Sequence, residues 1–373
     1  MTNTPKAKCA KAGLFCGLAL AAPLLVLAAE PKDERTPQPV QRWSEQQAWD
    51  WYRRQPWLVG FNFLPSSAVN DTEMWQAESF DPETMDRELG WARRIGFNSC
   101  RVFLQYVVWE ADPEGFQQRF EKFLTIAAKH GLSVMPIFFD DCAFAGKEPY
   151  LGKQADPVPG VHNSGWVPSP SHKLVTDPKS WGGLEKYVKE TVGRFARDKR
   201  IVFWDLYNEP GNEGMGNQSL PLVEHAFAWA RGAGAGQPLT VGVWGNLPEL
   251  NRRQLELSDL VTFHSYNDLP SLKNQIGDLK KHGRPVVCTE WMRRPVSRFE
   301  SHLPVFKAEQ VGCYNWGLVN GRTQTHFPWG SPKGAPEPKV WFHDLLRKDG
   351  TPFDAGEVRV IGECSGAVRM KEP

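Results

Sequence analysis

The chain has 373 residues, of which 41% are hydrophobic and 23% are charged, so it is not a mostly disordered protein. Its 44 Lys and Arg residues nearly balance 43 Asp and Glu residues, which argues against nucleic acid or an anionic membrane as the main partner. The 16 Trp residues are unusually many, and we expect some of them to line a cleft because Trp stacks well on flat apolar faces.

Residues 1–29 have the pattern of a secretory signal peptide. Three lysines precede an uncharged apolar run from Gly13 to Leu27, and Ala28 and Ala29 supply small residues for cleavage. An uncleaved membrane anchor is the alternative, but an apolar run of about 15–17 residues is short for a bilayer span of about 20. We therefore predict cleavage, a secreted or periplasmic location, and no membrane contact after cleavage.

Beyond residue 40, apolar runs rich in Val, Ile and Phe alternate with amphipathic stretches. The apolar runs predict strands at 57–63, 98–104, 132–139, 201–207, 239–244, 260–264, 285–289 and 311–316. The stretches that follow them predict helices at 82–95, 116–130, 181–197, 220–231, 247–257, 269–282, within the segment that ends at Gln310, and at 338–346. The helix at 82–95 has clear boundaries, with Asp81 as its N-cap and Gly96 as its stop.

Eight buried strands that alternate with helices indicate a parallel sheet, and this number fits a (β/α)8 TIM barrel in a single domain. An open doubly wound sheet is the alternative, but no Gly-rich phosphate-binding motif follows any of the predicted strands. After the signal peptide at 1–29, we predict an N-terminal linker at 30–50, the barrel at 51–350 and a short strand-rich C-terminal tail at 351–373.

The connection after the third strand, from Asp140 to Ser180, is rich in Pro and Gly and is unusually long. Loops of this length are usually functional or disordered, and this one leaves the C-terminal face, where the active sites of barrels lie. It contains Tyr150, His162, Trp166 and His172. We predict that these residues form a cleft wall, with a floppy insertion as the alternative.

Two of the predicted strands each deliver a Glu to the same face of the barrel. Strand four ends in Tyr207-Asn208-Glu209-Pro210, and strand seven ends with Glu290. Two carboxylates held together suit glycoside hydrolysis, because one protonates the leaving oxygen while the other attacks or stabilises the sugar. Burial and like-charge proximity would push their pKa values apart. We expect the carboxyl groups to lie about 5–5.5 Å apart, the spacing of retaining enzymes.

The sequence Tyr207-Asn208-Glu209-Pro210 resembles the Asn-Glu-Pro signature of clan A glycoside hydrolases, particularly the family 5 cellulase and mannanase group. The resemblance extends over most of the chain after the predicted linker. It implies that Glu209 is the general acid/base, that Glu290 is the nucleophile, and that Asn208 bonds the sugar 2-hydroxyl.

Four further positions match this family: Arg101 at the end of strand two, His264 and Tyr266 in a His-x-Tyr motif after strand six, and Trp316 at the end of strand eight. Arg101 and Tyr266 can donate hydrogen bonds to the nucleophile carboxylate and keep it ionised. His264 can orient the site or bond a substrate hydroxyl, and Trp316 offers an apolar face to the sugar ring. The alternative for each of these residues is a purely structural role. Arg101 would form an ion pair at the mouth of the barrel, His264 would bond only to other protein groups, and Trp316 would be part of the core.

One departure from the family concerns substrate binding. Many members carry a His just after strand three, where this chain has Asp140-Asp141-Cys142. We predict that Asp140 or its neighbour takes over that contact with the substrate. We also predict that Trp75 and Trp329 are stacking platforms in outer subsites, with packing inside loops as the alternative.

These features predict a secreted, retaining hydrolase of β-linked oligo- or polysaccharides. We expect no metal and no organic cofactor, since the His-x-His motif that metal-dependent barrels usually carry after strand one is replaced by Gly60-Phe61-Asn62-Phe63. A transglycosylase that uses the same residues is one alternative. A non-catalytic sugar-binding barrel is another, although such a protein is expected to lack one of the two Glu residues.

Overall fold

The structure is a computed structural model that describes residues 41–144 and 148–366. The predicted signal peptide at 1–29 lies outside the described residues, as do residues 30–40 of the predicted linker and the last residues of the predicted tail. Within the two described ranges, no helix is long and apolar enough to cross a membrane.

Eight parallel strands in the described residues form one sheet that curls into a barrel, as predicted. From β1 to β8, the strands are Val59–Asn62, Ser99–Phe103, Ser133–Asp140, Trp204–Asn208, Leu239–Thr240, Val261–Ser265, Val286–Trp291 and Gly312–Asn315. They pair in the order β5-β4-β3-β2-β1-β8-β7-β6. A parallel bridge between Val243 and Phe263 joins the two outermost strands and nearly closes the ring.

Twelve α-helices occur in the described residues. From α1 to α12, they are Glu45–Arg53, Asp71–Trp75, Pro82–Ile95, Tyr106–Ala111, Pro113–Lys129, His172–Val175, Gly182–Phe195, Leu220–Gly232, Pro248–Leu257, Leu269–Lys280, Phe299–Ala308 and Ala355–Ser365. Helices α3, α5 and α7 to α12 each follow one strand in turn, so the β/α unit repeats eight times and the chain has the predicted TIM barrel fold.

Helix α3 shows how the local sequence sets these boundaries. The side chain of Asp81 accepts a hydrogen bond from the amide of Thr84 at 3.0 Å, which satisfies one of the free amides of the first turn. Gly96 ends the helix with a φ of 114°, a backbone conformation that glycine adopts without steric cost. The residues buried at helical spacing between these ends include Met85, Leu89 and Ala92.

Helix α1 closes the N-terminal end of the barrel, so residues 45–50 belong to the barrel and not to the linker that we had predicted at 30–50. Ala48 is buried in a cluster that includes Leu58 at the start of the first strand. The ring of Trp51 meets that of Phe203 edge-on at 6.1 Å. These apolar contacts bury the end of the barrel core, which would otherwise be exposed to water.

The prediction of a helix at 338–346 is wrong, and so is that of a strand-rich tail. The backbone of residues 338–346 bonds to other segments, as in the hydrogen bonds from Phe342 N to His326 O at 2.8 Å and from Leu345 N to Leu318 O at 3.0 Å. The eighth helix is instead α12, in which Ile361 is buried. Residues up to 366 are therefore part of the barrel's outer layer.

The register of the strands places polar side chains side by side at the C-terminal ends of the barrel. The neighbouring pairs are Asn62 with Arg101, Asp140 with Asn208, and His264 with Glu290. The pairing of β6 with β7 is irregular just before His264, and such a bulge re-aims the side chains that follow it. The fold thus gathers at one end most of the residues that the sequence singled out.

Candidate active site

Glu209 and Glu290 lie together at the C-terminal mouth of the barrel. One carboxylate oxygen of each, together with a ring nitrogen of His264, lies within 4.8 Å of the others. Glu290 is the second-to-last residue of β7, and Glu209 directly follows β4 with a positive φ of 41°. A non-glycine residue in this region of backbone space is uncommon and is typical of functional positions.

Glu290 receives two strong hydrogen bonds, one to each oxygen. Arg101 Nη1 donates to its Oε1 at 2.7 Å, and the hydroxyl of Tyr266 donates to its Oε2 at 2.8 Å. Burial raises the pKa of Glu290, whereas the positive charge of Arg101 opposes that rise. The carboxyl of Glu290 is thus the one of the pair with a direct cationic partner, which favours its ionised form.

Arg101 is fully buried and holds several acceptors at once. Its guanidinium lies 2.8 Å from Asp205, and it also donates to the side-chain oxygens of Asn62 at 2.8 Å and Asn208 at 2.6 Å. A planar guanidinium with five donors suits this arrangement, which the point charge of Lys could not reproduce. The sequence reasoning missed Asp205, although its position in the strand that delivers Glu209 is a signal that could have found it.

Glu209 has a different set of neighbours. Asn212 Nδ2 donates to its Oε2 at 2.7 Å, the thiol of Cys142 donates to the same oxygen at 3.3 Å, and His264 Nδ1 lies 2.8 Å from its Oε1. Burial raises the pKa of Glu209, and the hydrogen bond from Cys142 opposes this rise. Without a contacting guanidinium, Glu209 is the group of the pair that more readily keeps a proton.

Nδ1 of His264, which lies 2.8 Å from Oε1 of Glu209, is also 3.6 Å from Oε2 of Glu290. Burial lowers the pKa of His264 to about 4, so its ring is neutral near pH 7. The three side chains could offer ligand atoms to a metal ion. However, the guanidinium of Arg101 already neutralises Glu290 and would repel a second cation.

Asp140 is buried and does not face the cavity, which corrects the prediction that it contacts the substrate. Its Oδ1 accepts a hydrogen bond from Asn208 Nδ2 at 2.8 Å, and its Oδ2 accepts one from Trp166 Nε1 at 2.7 Å. A carboxylate bonded on both oxygens by protein donors has little capacity left for a sugar hydroxyl. Asp140 therefore orients Asn208 and ties it to the loop that carries Trp166.

The two glutamates open into a cavity of about 290 Å³. Much of its wall is aromatic, with contributions from Phe144, Trp166, Trp244, Tyr266, Trp316 and Trp329. Trp329 is 41% exposed, and its role as a stacking platform stays a prediction. The connection at 141–144 and 148–171, which we call the β3 loop, supplies Phe144, His162 and Trp166 to this wall. Of the four residues predicted to form a cleft wall, His162 and Trp166 line the cavity, whereas Tyr150 and His172 are not among its lining residues.

Trp75 does not line the cavity, which corrects its predicted role as a stacking platform. It is fully buried in the core, where its ring packs against Phe116 at 5.7 Å and Phe123 at 5.6 Å. Its indole N–H donates to the carbonyl of Phe103 at 2.6 Å. The sequence placed Trp75 in a loop, but the short helix α2 turns this side chain inward.

The match to a known family confirms the resemblance seen in the sequence. The sequence profile of the Cellulase family (glycosyl hydrolase family 5) matches residues 92–321, more than half of the chain. The chain belongs to glycoside hydrolase family 5. It is thus a glycoside hydrolase, and the matched range includes both glutamates. No curated protein sequence matches the chain at a significant level.

Solved structures of family 5 enzymes share this fold. An alanine variant of GH5_18 from Streptomyces cattleya, in complex with Manβ1-4GlcNAc, has a TM-score of 0.58 at 16% identity over 86% of this chain and 82% of that one. The endo-β-1,4-mannanase of Thermotoga petrophila has a TM-score of 0.55 at 14% identity over 85% and 77%. XEG5A, a xyloglucan-specific endo-β-1,4-glucanase from a metagenomic library, has a TM-score of 0.53 at 14% identity over 86% and 99%.

Proposed function

We propose that this family 5 enzyme hydrolyses β-linked saccharides with retention of anomeric configuration. The observation that carries this proposal is the close pair of carboxyl groups with unequal neighbours. Arg101 and Tyr266 favour the ionised form of Glu290, whereas Glu209 has no contacting cation among the described residues and tends to keep its proton. An oxygen-to-oxygen separation within 4.8 Å is compatible with the retaining spacing of about 5–5.5 Å between carboxyl groups.

In the first step, the ionised carboxylate of Glu290 attacks the anomeric carbon while Glu209 gives its proton to the departing glycosidic oxygen. The bond to the leaving group breaks as the glycosyl ester forms. In the second step, Glu209, now ionised, takes a proton from water. The resulting nucleophile displaces Glu290 and releases the sugar with its original configuration. Asn208 lines the same cavity as both glutamates, and we propose that it bonds the 2-hydroxyl.

The substrates to test first are β-1,4-linked saccharides of mannose and glucose, with xylan and galactan as further candidates. The structural neighbours support this choice, since their names include a β-1,4-mannanase and a xyloglucan-specific β-1,4-glucanase. Trp316 and Trp329 would supply the flat apolar faces on which such sugar rings stack.

Azide rescue of two variants tests the roles of the carboxyl groups. In Glu209→Ala, a dinitrophenyl glycoside should still form the glycosyl-enzyme, because its leaving group needs no proton, and azide should then give the β-glycosyl azide. In Glu290→Ala, azide should take the place of the carboxylate and give the α-glycosyl azide. Reversed products, or near-wild-type activity in both variants, would contradict these assignments. A transglycosylase would instead transfer the wild-type glycosyl-enzyme to added sugar in preference to water.

We also propose that the chain is exported and that it loses residues 1–29 during export, because these residues have the pattern of a signal peptide. N-terminal sequencing of protein from the native host tests this proposal. A mature N-terminus near Glu30 is the expected result, and finding residues 1–20 in the mature protein would refute cleavage.

A further inference from the structure

Two loops are bonded to each other along one side of the cavity, namely the β3 loop and residues 316–354, which we call the β8 loop. The amide of Asn163 donates to the carbonyl of Thr323 at 2.8 Å. The side chain of Gln324 accepts a hydrogen bond from the amide of Gly160 at 2.9 Å and donates to the carbonyl of Val158 at 2.8 Å. These bonds join the two loops into one continuous wall.

The wall continues inward to the ends of the strands. The ring of Trp166 meets that of Phe103 at 4.9 Å and that of Trp316 at 5.9 Å. A separate cavity of about 30 Å³ adjoins these rings, which is room for a water molecule or two and not for a sugar ring. Among the described residues, the packed rings and this small cavity therefore leave no room for a sugar ring at this point of the wall.

Two polar side chains in this wall are buried, yet they have unpartnered atoms within the described residues. Asn163 is 1% exposed, and neither its amide oxygen nor its amide nitrogen has a hydrogen-bond partner. His343 is fully buried, and its Nε2 also lacks a partner. Both residues line the cavity. Buried polar groups are nearly always hydrogen-bonded, so this exception at a cavity wall points to a ligand.

The chemistry of the two groups identifies what would satisfy them. Nδ1 of His343 lies 2.6 Å from the carbonyl of Met292 and must carry the hydrogen, because a carbonyl only accepts. Burial lowers the pKa of His343, so the ring is neutral and its Nε2 is an acceptor. The amide of Asn163 both donates and accepts. Hydroxyl groups, which do both as well, are the matching partners.

We propose that the closed side of the cavity binds the non-reducing terminal sugar, whose hydroxyls bond to Asn163 and His343, so that the enzyme cleaves saccharides from the chain end. Asp140 accepts hydrogen bonds from both Trp166 in the wall and Asn208. Because Asn208 is the residue proposed to bond the 2-hydroxyl of the reacting sugar, the wall lies beside that sugar. The leaving group then extends on the side of Glu209 toward solvent. This inference rests on the proposed function and specifies the end of the substrate at which the enzyme acts.

The order of product release tests this proposal. The full chain is incubated with borohydride-reduced mannohexaose and cellohexaose and, separately, with para-nitrophenyl β-mannoside, β-glucoside and β-xyloside. The expected first products are one monosaccharide and a reduced chain that is shorter by one sugar, together with turnover of at least one aryl monoglycoside. Initial release of di- to tetrasaccharides, without action on any aryl monoglycoside, would overturn the proposal.

A separate control distinguishes failure of this inference from failure of the proposed function. Dinitrophenyl 2-fluoro-glycosides of the same sugars should label Glu290, as seen by mass spectrometry of the digested protein. Labelling combined with internal cleavage would refute chain-end action alone. Neither labelling nor turnover of any substrate would overturn the proposed function and, with it, this inference.

Two variants test the wall residues. Asn163→Gly suits the positive φ of 48° at this position and should lower kcat/KM for the aryl monoglycoside about 10-fold to 100-fold. His343→Phe keeps an aromatic ring and should have a similar effect. With monodeoxy aryl glycosides, loss of the bonded hydroxyl should slow the wild type and leave the matching variant unaffected. If the substitution and the removal of the hydroxyl lowered kcat/KM independently of each other, as expected when a residue is merely structural, the assignment would be contradicted.

A third variant tests the link between the loops. Gln324→Ala removes the side chain that joins them and should lower the ratio of kcat/KM for the monoglycoside over that for the hexasaccharide. Gln118→Ala is the matched control, since Gln118 is exposed on α5, where its side chain bonds only to Glu114 among the described residues. An unchanged ratio in Gln324→Ala would argue against a wall that depends on this link.

Discussion

The thiol of Cys142 lies 3.3 Å from Oε2 of Glu209 and donates its proton to that oxygen. The thiol is buried, and burial raises its pKa well above the ordinary value, so it remains a neutral donor. A donor to the ionised carboxylate lowers the pKa of that carboxyl group. Cys142 therefore tunes the group that we propose as the general acid/base.

Replacing Cys142 by Ala should raise the pKa of Glu209, because its ionised form loses a donor. The basic limb of the kcat/KM profile should move to higher pH by less than about one unit, as expected for one weak hydrogen bond. Cys364→Ala is the matched control, since this thiol lies on α12 away from the cavity. A basic limb that stays in place or moves to lower pH would show that the thiol does not act on Glu209.

Tyr266→Phe should shift the acidic limb of the pH profile of kcat/KM. Loss of the hydroxyl that donates to Glu290 at 2.8 Å disfavours the ionised nucleophile, so its pKa rises and the acidic limb moves to higher pH. We expect kcat/KM to fall about 10-fold to 100-fold, since hydrogen bonds to charged groups are worth about 1.5–3 kcal/mol. Tyr52→Phe removes a hydroxyl at the other end of the barrel and should leave both limbs unchanged. The same profile in the two variants would contradict the assignment.

Trp75→Ala and Trp329→Ala should have opposite consequences. Trp75 is fully buried among aromatic rings, so its removal should lower the free energy of unfolding by about 3–5 kcal/mol. The remaining folded enzyme should keep its KM. Trp329→Ala should change the free energy of unfolding by less than about 1 kcal/mol but should raise KM for oligosaccharides. Urea unfolding measures the free energy of unfolding, and steady-state kinetics measures KM. A raised KM in folded Trp75→Ala would support the original prediction that Trp75 stacks on the substrate.

Glu357→Gln should destabilise the barrel through its last helix. The carboxylate of Glu357 pairs with Arg294, whose Nε lies 2.8 Å from Oε1, and both side chains are buried. Loss of one charge leaves the other buried and unpaired, which costs about 3–5 kcal/mol of unfolding free energy. Glu256→Gln removes the partner of Arg252 and Arg253 in two surface ion pairs and is the control, with little expected change. Equal urea midpoints for the two variants would show that the buried pair is unimportant.

The sequence predicted the barrel and most of its elements because these depend on local patterns. Helix α3 begins and ends where Asp81 and Gly96 predicted, since a cap and a left-handed glycine act within one turn. The prediction of a helix at 338–346 was wrong because the structure of this segment depends on long-range contacts and not on a local pattern. Trp341, Leu345 and Leu346 are buried although the segment is not helical, because its backbone bonds to segments around residues 318 and 326. The spacing of these apolar residues therefore resembled that of a helix without forming one.

The sequence by itself determined the two glutamates and their strands, because consecutive parallel strands must deliver their C-terminal ends to one face. It also determined the positions of Arg101, His264 and Tyr266. Only the tertiary structure decided that Trp75 is core and that Asp140 bonds to Asn208. The same holds for the meeting of Asn163 and His343 at one wall. These outcomes depend on contacts between segments far apart in the chain, and the closing of such contacts is set by packing, which no local spacing records.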